Sequence, residues 1–163
     1  MNDAPLRALI VDDEPVARAH LRSLLEARAD VVVAGECGDG RTAVERIRAD
    51  APDLVLLDVQ MPELDGLEVV QTIGPERMPA VIFVTAFDQH ALAAFEVHAL
   101  DYILKPVNRA RFHRAIDRVV RLVRTQPAAS RADSLGRLME ELAGARASAE
   151  RLAVRVGDRV LYL

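Results

Sequence analysis

The chain has 163 residues, with one cysteine, no tryptophan and few aromatics of any kind, only 4%. A lone Cys37 excludes an internal disulfide framework and fits a reducing compartment. Scarce aromatics leave Leu, Val, Ile and Ala to build the core. At 51% apolar and 28% charged, the composition is that of a globular chain rather than a disordered one. No uninterrupted apolar run approaches the roughly 18–20 residues of a membrane span. The opening MNDAPLRALIVDDEP has no basic stretch ahead of a long apolar one, so no signal peptide is expected. Together these absences point to a soluble, cytoplasmic protein.

Lysine is the scarcest charge. Of 21 basic residues, the only lysine is Lys105, at the end of the apolar run in DYILKPV and followed by Pro106. Arginine is a broad planar fork, whereas lysine is a compact point charge on a flexible stem. A chain that uses Arg everywhere else would use it here too if any positive charge sufficed, so Lys105 marks a site that needs one small ammonium aimed at an anion. The charge is also uneven along the sequence. Residues 1–106 hold 19 acids against 9 bases, and residues 107–163 hold 6 against 12. An acidic body with a basic tail implies two jobs. The arginines between 109 and 124 serve either as a solvated helix face or in partner contact. His20, His90, His98 and His113 show no short metal-ligand spacing and read as surface or packing residues.

Short apolar runs alternate with segments of helical spacing. Leu6–Val11 is closed by Asp12-Asp13-Glu14-Pro15 and reads as a buried strand stopped by acids. From Pro15, the residues Ala17, Leu21, Leu24 and Leu25 predict a helix. Val31–Cys37 is a β-branched strand, followed by a helix to Asp50 with Asp39 as N-cap. Leu54–Leu57 is a strand ending at Asp58, and Asp65–Ile73 a helix. Ala80–Val84 is a strand, Gln89–His98 a helix, Tyr102–Leu104 a short strand and Asn108–Val123 a long helix. Continuous rather than alternating apolar strands belong to a parallel sheet covered on both faces. The expected architecture is α/β, a doubly wound five-stranded parallel sheet with five helices.

Beyond it, Thr125–Ser134 (TQPAASRADS) reads as a linker. Leu135, Leu138, Met139 and Leu142 then recur at helical spacing, which core packing and a helix-pairing seam explain equally well. The terminal RLAVRVGDRVLYL has two β-rich runs flanking Gly157-Asp158, a hairpin-like arrangement and the expected start of a second domain. The domain boundaries expected are 1–124, a linker and helix over 125–150, and an incomplete second domain over 151–163.

In doubly wound sheets, ligands bind outside the carboxyl ends of the strands. Reading the last residue of each strand brings Asp12, Asp13, Asp58, Thr85 and Lys105 to one edge. Singly, each has an ordinary reading: a loop acid, a turn, a helix cap, a Lys-Pro turn. Jointly, they are the parts of one reaction. Crowded carboxylates repel and demand a cation. A few hard oxygen ligands suit Mg²⁺, which favours phosphate company. A carboxylate beside Mg²⁺, with an ammonium and a hydroxyl nearby, is equipped to accept a phosphoryl group. A cis Lys105–Pro106 bond fits such a tight turn.

LIVDDE, LVLLDVQMPELDG, VIFVTAF and DYILKPV resemble the receiver domain of bacterial two-component response regulators over about residues 5–124. The resemblance implies a flavodoxin-like fold and phosphorylation by a sensor histidine kinase, with Asp58 as acceptor. It implies Mg²⁺ held by Asp13 and Asp58 directly, by Asp12 through water and by the Gln60 carbonyl. Thr85 and Lys105 would bind phosphoryl oxygens, and Tyr102 would be the aromatic that moves with Thr85. AFDQHALAAFEVHALDYILKPVNRARFHRAI resembles receivers of the LytTR (AlgR/LytR) class of transcription regulators, and RLAVRVGDRVLYL resembles the first strands of the LytTR DNA-binding domain. DNA binding is thereby implied through a domain of which most is absent here.

The expected function is a phosphorylation-gated regulatory module acting through a homodimer, not an enzyme. An aspartyl-nucleophile phosphatase typically carries a second Asp two residues after the nucleophile as general acid. That position is Gln60, which cannot do this work. A stand-alone phosphorelay shuttle fits the basic tail and linker less well. The dimer surface is expected on Gln89–His98, Tyr102–Leu104 and Asn108–Val123, with Asp101 and Arg109 in it. Phe87 is expected to shield an acyl phosphate from water.

Overall fold

In the computed structural model, residues 4–86, 101–125, 132–133, 135–140 and 143–144 are described. Every strand anticipated from the apolar runs forms: β1 (Leu6–Val11), β2 (Val31–Cys37), β3 (Leu54–Leu57), β4 (Ala80–Thr85) and β5 (Tyr102–Leu104). All pairings are parallel, in the order β2-β1-β3-β4-β5. The four residues of β3 and the six of β4 are buried throughout, which explains their unbroken apolar sequence.

Among the described residues the long helices are α1 (Pro15–Glu26), α2 (Gly40–Asp50), α3 (Gly66–Ile73) and α4 (Arg109–Thr125), with a 3₁₀ turn at Pro75–Arg77 that the pattern did not announce. Their starts have local chemical causes. Pro15 opens α1, where a missing N–H costs nothing. The Asp39 carboxylate accepts the Thr42 N–H ahead of α2. Asp65 caps α3 reciprocally with Glu68: each side chain accepts the other's backbone N–H at 2.9 Å. The predicted helix Gln89–His98, Phe87 and the predicted hairpin over 151–163 lie outside the described residues.

The sheet separates two apolar layers. On one side, Ala8, Ile10, Leu54, Leu56, Ile82, Val84 and Ile103 meet α1 and α4 through Leu21, Leu25, Phe112, Ile116 and Val119. On the other, Leu9, Val11, Val55, Leu57, Val81, Phe83 and Tyr102 meet α2 and α3 through Ala43, Ile47, Leu67 and Val70. The strict alternation along β1, β3 and β4 is the two-residue period of a strand sorting side chains to opposite faces. An ion-paired corner ties α4 to the β2 side of the sheet, with Arg28 within 2.8 Å of Asp30 and 2.6 Å of Asp117.

With β1 lying between β2 and β3, which are reached by opposite crossovers, the carboxyl ends of β1 and β3 open the crevice where such sheets bind ligands. One glycine fixes how tightly α3 closes on that crevice. A Cβ on Gly66 would stand 2.3 Å from the Asp58 carbonyl oxygen and 3.0 Å from the Val59 Cα. Its N–H is meanwhile bonded to the Val59 carbonyl at 2.9 Å. Only glycine lets the first turn of α3 rest directly on the backbone that carries Asp58. We expect Gly66→Ala to lose roughly 1–3 kcal/mol of stability in urea denaturation, the usual cost of forcing atoms into packed space. An unchanged unfolding midpoint would show that this contact is not constraining.

Candidate functional site

β1 ends in Asp12, Asp13 and Glu14, and β3 ends in Asp58. Asp12 and Asp58 are buried, at 0% and 4% exposure, while Asp13 is exposed. Backbone bonds hold the two buried acids side by side. The Asp58 N–H donates to the Val11 carbonyl at 3.0 Å, the Asp12 carboxylate accepts the Glu14 N–H at 2.9 Å, and Asp58 Oδ1 accepts the Gln60 N–H at 3.0 Å. One carboxylate oxygen from each of Asp12, Asp13 and Asp58 lies within 4.8 Å of the others. That is a hard, all-oxygen donor set, and Asp12 Oδ2 is buried with no aligned hydrogen bond. These residues fit a small divalent cation.

The counter-charge is Lys105. Its Nζ stands 2.8 Å from Asp12 Oδ2, 3.1 Å from Glu14 Oε1 and 3.2 Å from Asp58 Oδ2. Lys105 is thereby the ion-pair partner of the buried Asp12 Oδ2. β4 and β5 hold the ammonium in place: the Lys105 N–H donates to the Thr85 carbonyl at 2.8 Å, and the Lys105–Pro106 peptide is cis. Thr85 is fully buried at the end of β4, in register with Leu104. Burial alone would lower the Lys105 pKa, but its carboxylate partners outweigh it and the ammonium is held above its ordinary range. Burial raises the Asp58 pKa, Asp12 adds to the rise, and Lys105, the Gln60 N–H and Thr85 oppose it.

The structure thus brings together five residues picked from strand ends: Asp12, Asp13, Asp58, Thr85 and Lys105. Gln60 follows Asp58 with an exposed side chain and its N–H on the acceptor carboxylate. Tyr102 is buried at 1% exposure in the layer beneath the site, with its carbonyl bonded to Arg111 at 2.8 Å. Two further participants were not singled out. Glu14 is the third acid on Lys105, and its place directly after the Asp pair was the available signal. Arg18 donates to the Asp12 carbonyl at 2.6 Å, a contact that helical spacing from Pro15 does not announce. Beside the acids, a cavity of about 530 Å³ opens between the start of α1 and the Lys105–Val107 turn, lined in part by Val16, His20, Pro106 and Val107.

Asp101 departs from expectation. Read as a dimer-surface acid, it is instead 2% exposed and lies 3.3 Å from Arg118 of its own α4, with Oδ2 unbonded. Its carboxylate is thus held inside the fold rather than presented at the surface. Arg109, at the start of α4, is exposed.

The family model for the response regulator receiver domain matches residues 8–117. The chain belongs to the receiver family. It is 44% identical over 114 residues to the transcriptional regulatory protein BtsR of Salmonella typhi, a match covering 70% of this chain and 48% of that protein. The chain accordingly spans about half the length of the curated relatives it matches. Among solved structures, the response regulatory domain of mrkE from Klebsiella pneumoniae aligns with a TM-score of 0.64 at 30% identity, covering 74% of this chain and 100% of that one. The receiver domain of the putative response regulator NarL from Mycobacterium tuberculosis aligns at 0.62 and 30%, covering 72% and 98%. The fold expected from the sequence is the fold observed. Among the described residues no helix is long and apolar enough to cross a membrane.

Burial, opposed by Arg118 and Arg111, raises the Asp101 carboxyl to about 6. An acid whose folded pKa is raised binds its proton more tightly in the folded state, so stability falls as pH rises from about 4 to about 6. Asp101→Asn removes that fall. It is expected to be about 2 kcal/mol more stable than the parent at pH 8, a gap that narrows towards pH 4. Urea denaturation across this range checks it, and a pH-independent offset would contradict it.

Proposed function

We propose that this chain is the signal-receiving part of a LytTR-class transcription regulator, phosphorylated on Asp58 by a sensor histidine kinase in the presence of Mg²⁺. The observation that carries the reading is the convergence of Lys105 on Asp58 and Asp12 beside the buried Thr85. This arrangement suits phosphoryl acceptance. Lys105 and the Gln60 N–H favour, against burial, the carboxylate form of Asp58, which is the form that offers a nucleophilic oxygen. That oxygen attacks the phosphorus of a phosphohistidine. The P–N bond breaks, and the imidazole leaves with the electron pair and takes up a proton. Lys105 and Thr85 stand where the phosphoryl oxygens arrive. Asp13, Asp58 and the Gln60 carbonyl would hold Mg²⁺, with Asp12 acting through water; the ion would neutralise charge on the transferred group.

The cavity beside α1 supports the approach of a protein donor, since it opens next to Lys105 and is edged by the exposed Val16. The module modifies itself and stops, because Gln60 offers no general acid for repeated turnover. The names of its relatives support a transcriptional output. In this reading the output runs through an attached DNA-binding domain and a homodimer formed on the α4–β5 side. A dimer there must either leave the Asp101–Arg118 pair intact or exchange it between copies. A cytoplasmic location follows from the partners proposed.

Intact mass after incubation with acetyl phosphate tests the reading. One phosphoryl group is expected in the presence of Mg²⁺, little in its absence and none in Asp58→Asn. A gain that survives Asp58→Asn, or no gain from acetyl phosphate or phosphoramidate, would overturn it.

A further inference from the structure

Leu135, Leu138 and Met139 lie beyond the residues 8–117 that match the receiver family. They are nevertheless 3%, 4% and 7% exposed. Residues 135–140 are helical, so these three side chains share one face at i, i+3 and i+4, while Glu140 on the opposite side is exposed. The sequence left the stripe open between core packing and a helix-pairing seam, and burial decides the matter here. The three join the apolar layer on the α2–α3 side of the sheet, together with Val81, Phe83 and Tyr102. The helical stripe that follows the linker is thus docked on the receiver itself.

We propose that the helix at 135–140 is a strap in cis, held on the α2–α3 face in the layer of Phe83 and Tyr102, and released when a phosphoryl group occupies Asp58. The release rests on the phosphorylation reading above; the docking does not. The path between the two is short. β5 has three residues, Tyr102–Leu104, and runs directly into Lys105. Tyr102 and Leu104 face the strap's layer. Leu104 is in register with Thr85, whose carbonyl accepts the Lys105 N–H. A movement of the backbone at Lys105 or Thr85 is passed directly to Leu104 and, through the three-residue strand, to Tyr102. The strap is fitted to the present arrangement by three side chains, and close-packed contacts yield to small shifts rather than stretch. A three-residue anchor is weak enough to be broken by such a shift. Its loss would free the 135–140 helix from the receiver surface. Coupling of this kind is reciprocal: whatever phosphorylation does to the strap, removing the strap does to occupancy of the site.

The test is hydrogen–deuterium exchange on the full 163-residue protein, with phosphorylation by acetyl phosphate and Mg²⁺ verified by mass in the same sample. In the resting state, amides of 135–140 should exchange about tenfold or more slowly than in Leu138→Ser, in which β1 and β3 keep their protection. On phosphorylation, the wild-type segment should approach the Leu138→Ser rate, while Asp58→Asn treated alike should not. Beryllium fluoride with Mg²⁺, a phosphoryl mimic, should bind Leu138→Ser several-fold more tightly than wild type. Absence of protection at rest would overturn the docking. Loss of β1 and β3 protection in Leu138→Ser would make the stripe plain core and end the proposal. Undiminished protection in a sample carrying one phosphoryl group would overturn the release alone. A sample that gains no phosphoryl group removes the functional reading and the release with it, leaving the docking to the resting comparison.

Discussion

Two buried carboxylates standing side by side are the constraint on which the rest depends. Asp12 and Asp58 are nearly inaccessible to water, and Asp13 lies close enough to share a cation with them. For Asp58, burial and the neighbouring Asp12 both favour protonation. The fold opposes this with one ammonium, two backbone N–H groups and a hydroxyl. Lys105 is the only described cation within 4 Å of the Asp12 and Asp58 carboxylates. An arginine fork would spread its charge over a plane, whereas the compact Lys105 head contacts Asp12, Asp58 and Glu14 together. Scarcity of lysine in the sequence and crowding of acids in the fold are therefore two sides of one requirement.

The scaffold serves that requirement through backbone rather than side chains. Parallel pairing brings the ends of β1 and β3 level, with Val11 in register with Leu57, so that the residues after them meet. The Asp65–Glu68 cap and the bare Cα of Gly66 let α3 begin directly on the Asp58 backbone. On the far side, β5 is only long enough to carry Tyr102 into the core and deliver Lys105 to the edge. Acid cluster and apolar layer are thus separated by one or two residues of strand. A change of ligand at the edge has a short route to anything packed on the α2–α3 face, the 135–140 helix included.

The strands and their ends were legible because a buried parallel strand needs an unbroken apolar run, and a polar residue at its end is hard to miss. The Asp39 cap was legible for the same local reason. Contacts between distant segments were not. Asp101 reads as a surface acid until the fold buries it against Arg118, 17 positions away on another element. Glu14 was overshadowed by the Asp pair, and its reach to Lys105 depends on the start of α1. The stripe at 135–139 has two turns of pattern, which suit a core and a seam alike; only the burial of its three members separates them.

The claim that Lys105 is the resident counter-charge of the acid cluster is tested most directly by Mg²⁺ affinity, measured by titration calorimetry at fixed ionic strength on the wild type and on Lys105→Met. If the ammonium occupies charge that a metal would otherwise compensate, its removal should tighten Mg²⁺ binding by about an order of magnitude, as expected for one unit charge a few ångströms away in a partly buried site. Equal or weaker binding in Lys105→Met would contradict the account, since it would mean that the acids are balanced by something other than Lys105.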